Sequence, residues 1–215
     1  AGSPAVSLET YDAYFRPAGD AWPYERQSLV KLRCVCGQAD FGAILQQHTH
    51  DVIYRGAGFN FDAMRGMREQ QVRQLVHGGT VNANLSDGGL VDCEYAVQAI
   101  QMTVGREHPA LRSSNTLVAL AAANRTGLLT DAETAQVKDA YTFLRQLIDC
   151  LRMARGNALD LTVPDVDSAD YHLLARRLQT VHESSLRLDD LEDQLTAVRS
   201  FAARVEDVCR AAHSD

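Results

Sequence analysis

The chain is predicted to fold as an all-α protein built from antiparallel helical bundles, on three observations. Proline and glycine are sparse, with 5 and 14 in 215 residues. Apolar residues recur at spacings of three and four along almost the whole chain, the period of a helix with one buried face. No stretch shows the strict alternation or the bounded β-branched run of a convincing strand, and helices joined by short connections pack naturally as antiparallel bundles.

The elements follow in order. A short entry helix runs from Leu8 to about Phe15 and ends before Pro17. A second covers Tyr24 to Arg33, and a third covers Phe41 to Arg55, stopped by Gly56 and Gly58. A basic helix spans Phe61 to His77 and closes at Gly78-Gly79, ordinary helix-terminating chemistry. The next, Leu90 to about Gly105, has two apolar faces. Leu90, Cys93, Val97, Ile100 and Val104 make one stripe, and Val91, Tyr95 and Met102 make a second on the opposite side. A helix apolar on opposite sides is covered from both directions. Ser114 is expected to cap a helix through Asn124, closed by Gly127, and Thr130 the next, with Val137, Tyr141, Leu144, Ile148 and Leu151 in its stripe and Gly156 at its end. Residues 156 to 167, with Pro164, form the one loop long enough to be a boundary. Leu173, Leu174 and Leu178 mark a short helix after it, and Leu191, Leu195, Val198, Ala202, Val205 and Cys209 a final long one.

Composition narrows the function. The apolar fraction of 46% and charged fraction of 23% are those of an ordinary globular protein. A formal net charge of −7 with scattered arginines argues against a nucleic-acid partner. No apolar run approaches the roughly 18 residues of a membrane span, and no signal-peptide pattern is present. An odd set of 5 cysteines without a regular framework fits a reducing cytoplasm. The opening Ala1-Gly2-Ser3, with no methionine, suggests a piece of a longer protein.

Two constellations invite metal chemistry and do not carry it. Cys34-Val35-Cys36 and His48-Thr49-His50 supply four zinc-type donors, but C-x-C is tighter than the usual structural spacing and the histidines point apart on a helix. They read as two partly buried cysteines and two surface histidines. Asp165-Val166-Asp167 has the spacing of a two-metal nucleotidyl-transfer pair, yet Pro164 precedes it and no helix fits between it and Gly156-Asn157, so it reads as a loop.

The most informative segment is Gly88-Gly89-Leu90-Val91-Asp92-Cys93-Glu94-Tyr95. Asp92 and Glu94, two residues apart, project to opposite flanks and cannot chelate one ion together. Asp92 shares its flank with Ala96, Ala99 and Thr103, small residues that admit a close neighbour. Glu94 shares the other with Gln98 and Gln101, which reads as the wetter side. Both carboxylates fit two readings. They are first-turn acids favoured by the helix dipole behind an Asp87 cap, or groups that meet a cation in a cleft.

Several stretches, in order, resemble the glutamine synthetase adenylyltransferases. They are Ser3 to Tyr11; Ala21-Trp22-Pro23-Tyr24-Glu25-Arg26-Gln27-Ser28-Leu29, followed by Lys31 and Arg33; the Gly88 to Tyr95 signature; His108-Pro109-Ala110-Leu111-Arg112; Asn115 to Leu120; and Ala140 to Arg145. The family usually has a lysine four residues before the glycine pair, where this chain has Asn84, and often an aspartate at the place of Asn82. The resemblance implies that residues 1–155 are the helical domain that follows a nucleotidyltransferase domain, with 156–215 an extension packed on it or a small second bundle. It implies a parent enzyme that uses ATP and magnesium to place AMP on a tyrosine of glutamine synthetase, under control of glutamine and a PII-type signalling protein. The metal-binding carboxylates of such an enzyme lie upstream, so the chain alone is expected to be inactive, with no catalytic residue, metal or cofactor of its own. Gly88, Gly89, Asp92 and Glu94 become the cleft-facing candidates, and Trp22, Glu25, Gln27, Arg33, Arg112 and Asn115 the further motif residues. Asp92→Asn is then expected to leave the melting temperature nearly unchanged while lowering transfer about tenfold or more. A helical interaction module without catalysis, and the helical domain of a PII uridylyltransferase, are the alternatives.

Overall fold

The computed structural model describes residues 5–56, 58–157, 159–182 and 187–212. Ser3 and Pro4 of the opening motif lie outside them. The protein is all-α. Among the described residues there are nine helices: α1 (Leu8–Phe15), α2 (Pro23–Ser28), α3 (Ala39–Tyr54), α4 (Phe61–Leu75), α5 (Leu90–Val104), α6 (Thr116–Arg125), α7 (Asp131–Arg155), α8 (Ala169–His182) and α9 (Leu191–Ala212). Among the described residues the nearest approach to a strand is a single antiparallel bridge between Asn82 and Thr162.

Helix ends follow local chemistry, with four departures from expectation. Pro23 opens α2 and Glu25 accepts the Trp22 N–H at 2.8 Å, but the α-helix ends at Ser28 and continues only as a 3₁₀ turn, Leu29–Lys31, which turns Leu29 and Val30 into the core. Asn115, not Ser114, caps α6, its side-chain oxygen accepting from the N–H groups of Leu117 and Val118. Gly89, not Asp87, precedes α5, because the chain turns at Gly88 with φ +79°, which sets Asp87 off from the first turn. The helix marked by Leu173 to Leu178 is longer than expected. It is announced by Ser168, whose hydroxyl accepts from Tyr171 N–H at 3.1 Å. Thr130 and Glu133 form the reciprocal cap of α7, and Gly156 ends it in the left-handed region at φ 66°.

The core is organised around α5, whose residues from Ala96 to Met102 are buried all round. The stripe of Leu90, Cys93, Val97, Ile100 and Val104 is wholly buried, and α9 packs along α5 and also against α7. In α7 the stripe residues Val137, Leu144, Ile148 and Leu151 are buried, and so are Leu195, Val198, Val205 and Cys209 in α9. The loop from 156 to 167 is pinned to the segment before α5. Ala83 N–H donates to Leu161 O at 3.0 Å and Val163 N–H to Val81 O at 2.7 Å, and Leu161 and Val163 enter the same core. Asp165 and Asp167 stand in the turns before α8.

Candidate functional site

The site is built from the turn that delivers the chain into α5. The Asn82 side-chain oxygen accepts from the N–H groups of Asn84 and Leu85 at 3.1 and 3.0 Å, a side-chain turn that an aspartate would also make. The loop then folds over the start of the helix. Leu90 N–H donates to Ala83 O and Val91 N–H to Asn84 O, both at 3.1 Å, so these first-turn donors are used internally. The two glycines are required by crowding. A Cβ on Gly88 would strike the Leu195 carbonyl of α9, and one on Gly89 would lie 2.8 Å from the carbonyls of Asn84 and Ser86. Gly88 in addition has a φ that side-chain-bearing residues rarely adopt.

Asp92, in the first turn of α5, bridges three segments. One carboxylate oxygen accepts from Arg68 Nε at 2.6 Å and the other from the Gly88 N–H at 2.8 Å. Arg68 comes from α4, and its Nη2 donates to the Leu85 carbonyl at 2.9 Å, on the same loop. The pair is largely withdrawn from water, with side-chain exposures of 10% for Arg68 and 17% for Asp92. The close neighbour expected along Ala96 and Ala99 is supplied by the chain itself. Those alanines line a cavity of about 370 Å³ together with Ala202, Ala203 and Val205 of α9.

Glu94 faces the other way and meets a different cation. Lys31 Nζ lies 3.6 Å from its carboxylate, and the Tyr141 hydroxyl donates to it at 3.3 Å. Lys31 also donates to Thr116 Oγ1 at 2.6 Å. Burial pushes the Tyr141 phenol above its ordinary range. One turn further along, Gln27 Nε2 donates to Gln98 Oε1 at 2.6 Å. Thus Gln27 and Lys31 grip Gln98 and Glu94 as two rungs across the packed elements. The expectation of a wetter flank is corrected here, since Gln98 and Gln101 are both buried. Gln101 Nε2 donates to the carbonyls of Leu111 and Ser113, which accept a buried amide in place of water.

The remaining motif residues serve varied ends. Trp22 is 63% exposed and stacks on Tyr24, and Glu25 accepts from the Tyr14 hydroxyl as well as from Trp22 N–H. Arg112 closes the C-terminal end of α5, donating to the carbonyls of Gly105 and Arg106 and lying over the Tyr54 ring. Arg33 is exposed. Cys34 and Cys36 are exposed, not partly buried, because residues 34–38 lie in a connection outside the helices that bends at Cys36-Gly37. His48 and His50 are half-buried, His48 bonded to Asp12 at 2.8 Å and His50 edge-on to Tyr54. Arg68, Thr116 and Tyr141 were not legible as site residues. The one signal for Arg68 was its place four residues after Met64 on the inward face of α4.

The donor set does not fit a metal pair. Both Asp92 oxygens already accept hydrogen bonds, and among the described residues no group of three or more histidine, cysteine, aspartate or glutamate side chains is placed to hold an ion. No helix among them is long and apolar enough to cross a membrane. What the geometry does is lock α4, α5 and the connecting loop into one unit through Asp92, and lock α5 to α2, α6 and α7 through Gln98 and Glu94.

A family model described as GlnD PII-uridylyltransferase matches residues 62–212, across the 156–167 loop. A bifunctional glutamine synthetase adenylyltransferase/adenylyl-removing enzyme of Streptomyces coelicolor is 30% identical over 208 residues, 94% of this chain and 20% of the relative. Its counterpart from Stenotrophomonas maltophilia is 31% identical over 210 residues, 94% and 22% of the two chains, and that from Mycobacterium bovis 31% over 175 residues, 79% and 17%. The chain therefore spans about a fifth of the length of the curated relatives it matches. On this match, together with the Gly88 to Tyr95 segment at the entry to α5, the chain belongs to the family of helical domains represented by GlnD PII-uridylyltransferase and by the glutamine synthetase adenylyltransferases.

Proposed function

We propose that this chain is the regulatory, cleft-closing helical domain of a nucleotidyltransferase that moves AMP from ATP to a tyrosine of glutamine synthetase. The observation that carries the reading is coverage. Relatives named for adenylyl transfer and removal align with 94% of this chain, yet the chain accounts for only about a fifth of them. The donor set supports assigning the chemistry elsewhere, because Asp92 and Glu94 are committed to Arg68 and Lys31. ATP and magnesium belong, in this reading, to the parent enzyme and not to these residues. Residues 1–155 form the domain proper and 156–215 its packed extension. The contribution of this chain is mechanical: a rigid α4–loop–α5 unit that faces the partner domain through exposed Asp87, beside the buried Gly88-Gly89 turn. Glutamine synthetase and a PII-type signalling protein are the proposed partners, and the cytoplasm the proposed compartment.

The family model's description favours one second reading, the helical domain of an enzyme that uridylylates PII. A single experiment separates them. The full-length protein carrying this chain is incubated with labelled ATP and glutamine synthetase, and in parallel with labelled UTP and PII, each with magnesium. AMP on glutamine synthetase supports the first reading, and UMP on PII the second. Label in neither leaves the chain as an interaction module without catalysis. The 215-residue chain alone should transfer neither, and label above background that depends on it would overturn the division of labour.

A further inference from the structure

The five cysteines divide unevenly. Cys93, Cys150 and Cys209 are buried on three different helices, whereas Cys34 and Cys36 stand in water, two residues apart, on the connection that leads into α3. Every residue from 33 to 40 is exposed, and Val35, between the two thiols, is 77% exposed and packs on nothing that would hold it. Among the described residues no backbone–backbone hydrogen bond involves residues 33–37. The Cys34 thiol is turned towards its partner, donating to the Cys36 carbonyl at 3.3 Å. Gly37 follows with φ +115° and open space around it. On the other side, Gly42 in the first turn of α3 lies so close that a Cβ there would meet Cys34 Sγ at 3.0 Å, so bare backbone, not a side chain, flanks the thiol.

Two residues span at most about 7 Å, and a disulfide joins Cα atoms roughly 4.4–6.8 Å apart. Closing a ring between Cys34 and Cys36 therefore needs only a local turn at Val35, in a segment with no ladder or packed side chain to break. We propose that Cys34 and Cys36 form a reversible dithiol–disulfide site whose co-reactant is a low-molecular-weight disulfide of the glutathione type. The thiolate of one cysteine attacks a reagent sulfur, breaks its S–S bond and releases one half as a thiol. The thiolate of the other then attacks the protein sulfur of that mixed disulfide, forms the Cys34–Cys36 bond and releases the second half. Two protein thiols are oxidised, one reagent disulfide is reduced to two thiols, and the two cysteine protons pass to them. An exposed pair of this kind is held reduced in a reducing compartment and closes when the poise becomes oxidising. The site is independent of the proposed role in nucleotidyl transfer, since it uses neither Asp92 nor Glu94.

The native 215-residue chain is incubated with glutathione disulfide, quenched with an alkylating agent at intervals, and digested with trypsin, which leaves both thiols in the single peptide 34–55. The expected product in most chains is that peptide without alkyl groups and lighter by two hydrogens, from a monomeric protein, with reversal by excess reduced glutathione. Cys34→Ser and Cys36→Ser, both at exposed positions, should instead stop at the mixed disulfide, which should persist at least about tenfold longer than in the unsubstituted chain. Glutathione retained on Cys34 or Cys36 of the unsubstituted chain as long as in the single variants overturns the proposal. So does a disulfide that links two chains or recruits Cys93, Cys150 or Cys209, and so does a peptide that remains fully alkylated throughout.

Discussion

Replacing Asp92 by asparagine keeps the size of the side chain and removes its charge, and the structure makes this a costly change to the fold. One oxygen accepts a 2.6 Å bond from Arg68 Nε and the other a 2.8 Å bond from Gly88 N–H. An amide can satisfy only one of these donors, because its –NH₂ must face the other as donor against donor. Arg68, 10% exposed in its side chain, is left with a charge and no counter-charge at that position. Removing one partner of a buried pair costs about 3–5 kcal/mol, and retention of one acceptor brings the expectation to about 3 kcal/mol. For a chain of this size that corresponds to a fall of about 6–12 °C in melting temperature. This corrects the sequence-based expectation of a nearly unchanged melting temperature, since the cation that Asp92 orients belongs to its own domain. Thermal and urea unfolding of the 215-residue chain measure it. Arg68→Gln in the Asp92→Asn background should add much less than it does alone, with a coupling of at least about 1 kcal/mol. A shift below about 2 °C, or strict additivity, would refute the argument and return Asp92 to a role outside the fold.

Glu94→Gln should be milder, about 0.5–1 kcal/mol in the same unfolding assay, because Lys31 stands 3.6 Å away and both side chains keep a quarter or more of their exposure. Gly88→Ala should destabilise by at least about 2 kcal/mol, combining a positive φ with the Leu195 carbonyl, whereas Gly156→Ala, with positive φ in open space, should cost about 1 kcal/mol. Equal effects would show that α9 does not press on the Gly88 turn. Cys34 and Cys36 should react rapidly with a thiol reagent in the native state, while buried Cys93, Cys150 and Cys209 react only on unfolding, burial having pushed the Cys93 thiol up to about 12. Glu133 is held below the ordinary carboxylate range chiefly by the Thr130 backbone N–H, then by the Thr130 hydroxyl. Its stabilisation is therefore full above the unfolded value near 4.5 and is lost as pH falls through the lower folded value. Glu133→Gln should flatten the acid limb of the stability profile below about pH 4.5, and an unchanged limb would remove the cap from the account.

What the sequence made legible was whatever depends on neighbours along the chain. The stripes of α5, α7 and α9, the Thr130 cap and the Gly156 stop are all set within a few residues, and each is found where its pattern places it. What it concealed depends on distant partners. Asp87 looks like a helix cap until Gly88 takes its positive φ, and the close approach of the Leu195 carbonyl that demands a glycine there comes from a residue over a hundred positions away. Gln98 and Gln101 look solvated because nothing nearby could satisfy them. Their burial becomes affordable only when Gln27 and the carbonyls of Leu111 and Ser113 arrive. Arg68 was hidden for the same reason, as a basic residue on a basic helix whose counter-charge lies across a turn.

The two carboxylates of the Gly88 to Tyr95 segment thus do related work on opposite sides of one helix. Asp92 ties α5 to α4 and to its own entry loop, and Glu94 ties it towards Lys31, Thr116 and Tyr141. Because α5 is also clasped along its length by α9, a displacement at the Gly88 turn cannot be absorbed locally. Packed cores move between discrete arrangements more readily than they bend. In the proposed role, a partner pressing on exposed Asp87 would load the buried Gly88-Gly89 turn, and with it α9 through Leu195 and α4 through Arg68 together. In that proposed role the signature would be the joint through which a helical domain acts on a catalytic neighbour as one body; what the structure itself shows is that the glycines set how closely the helices approach and the carboxylates tie α5 to its neighbours.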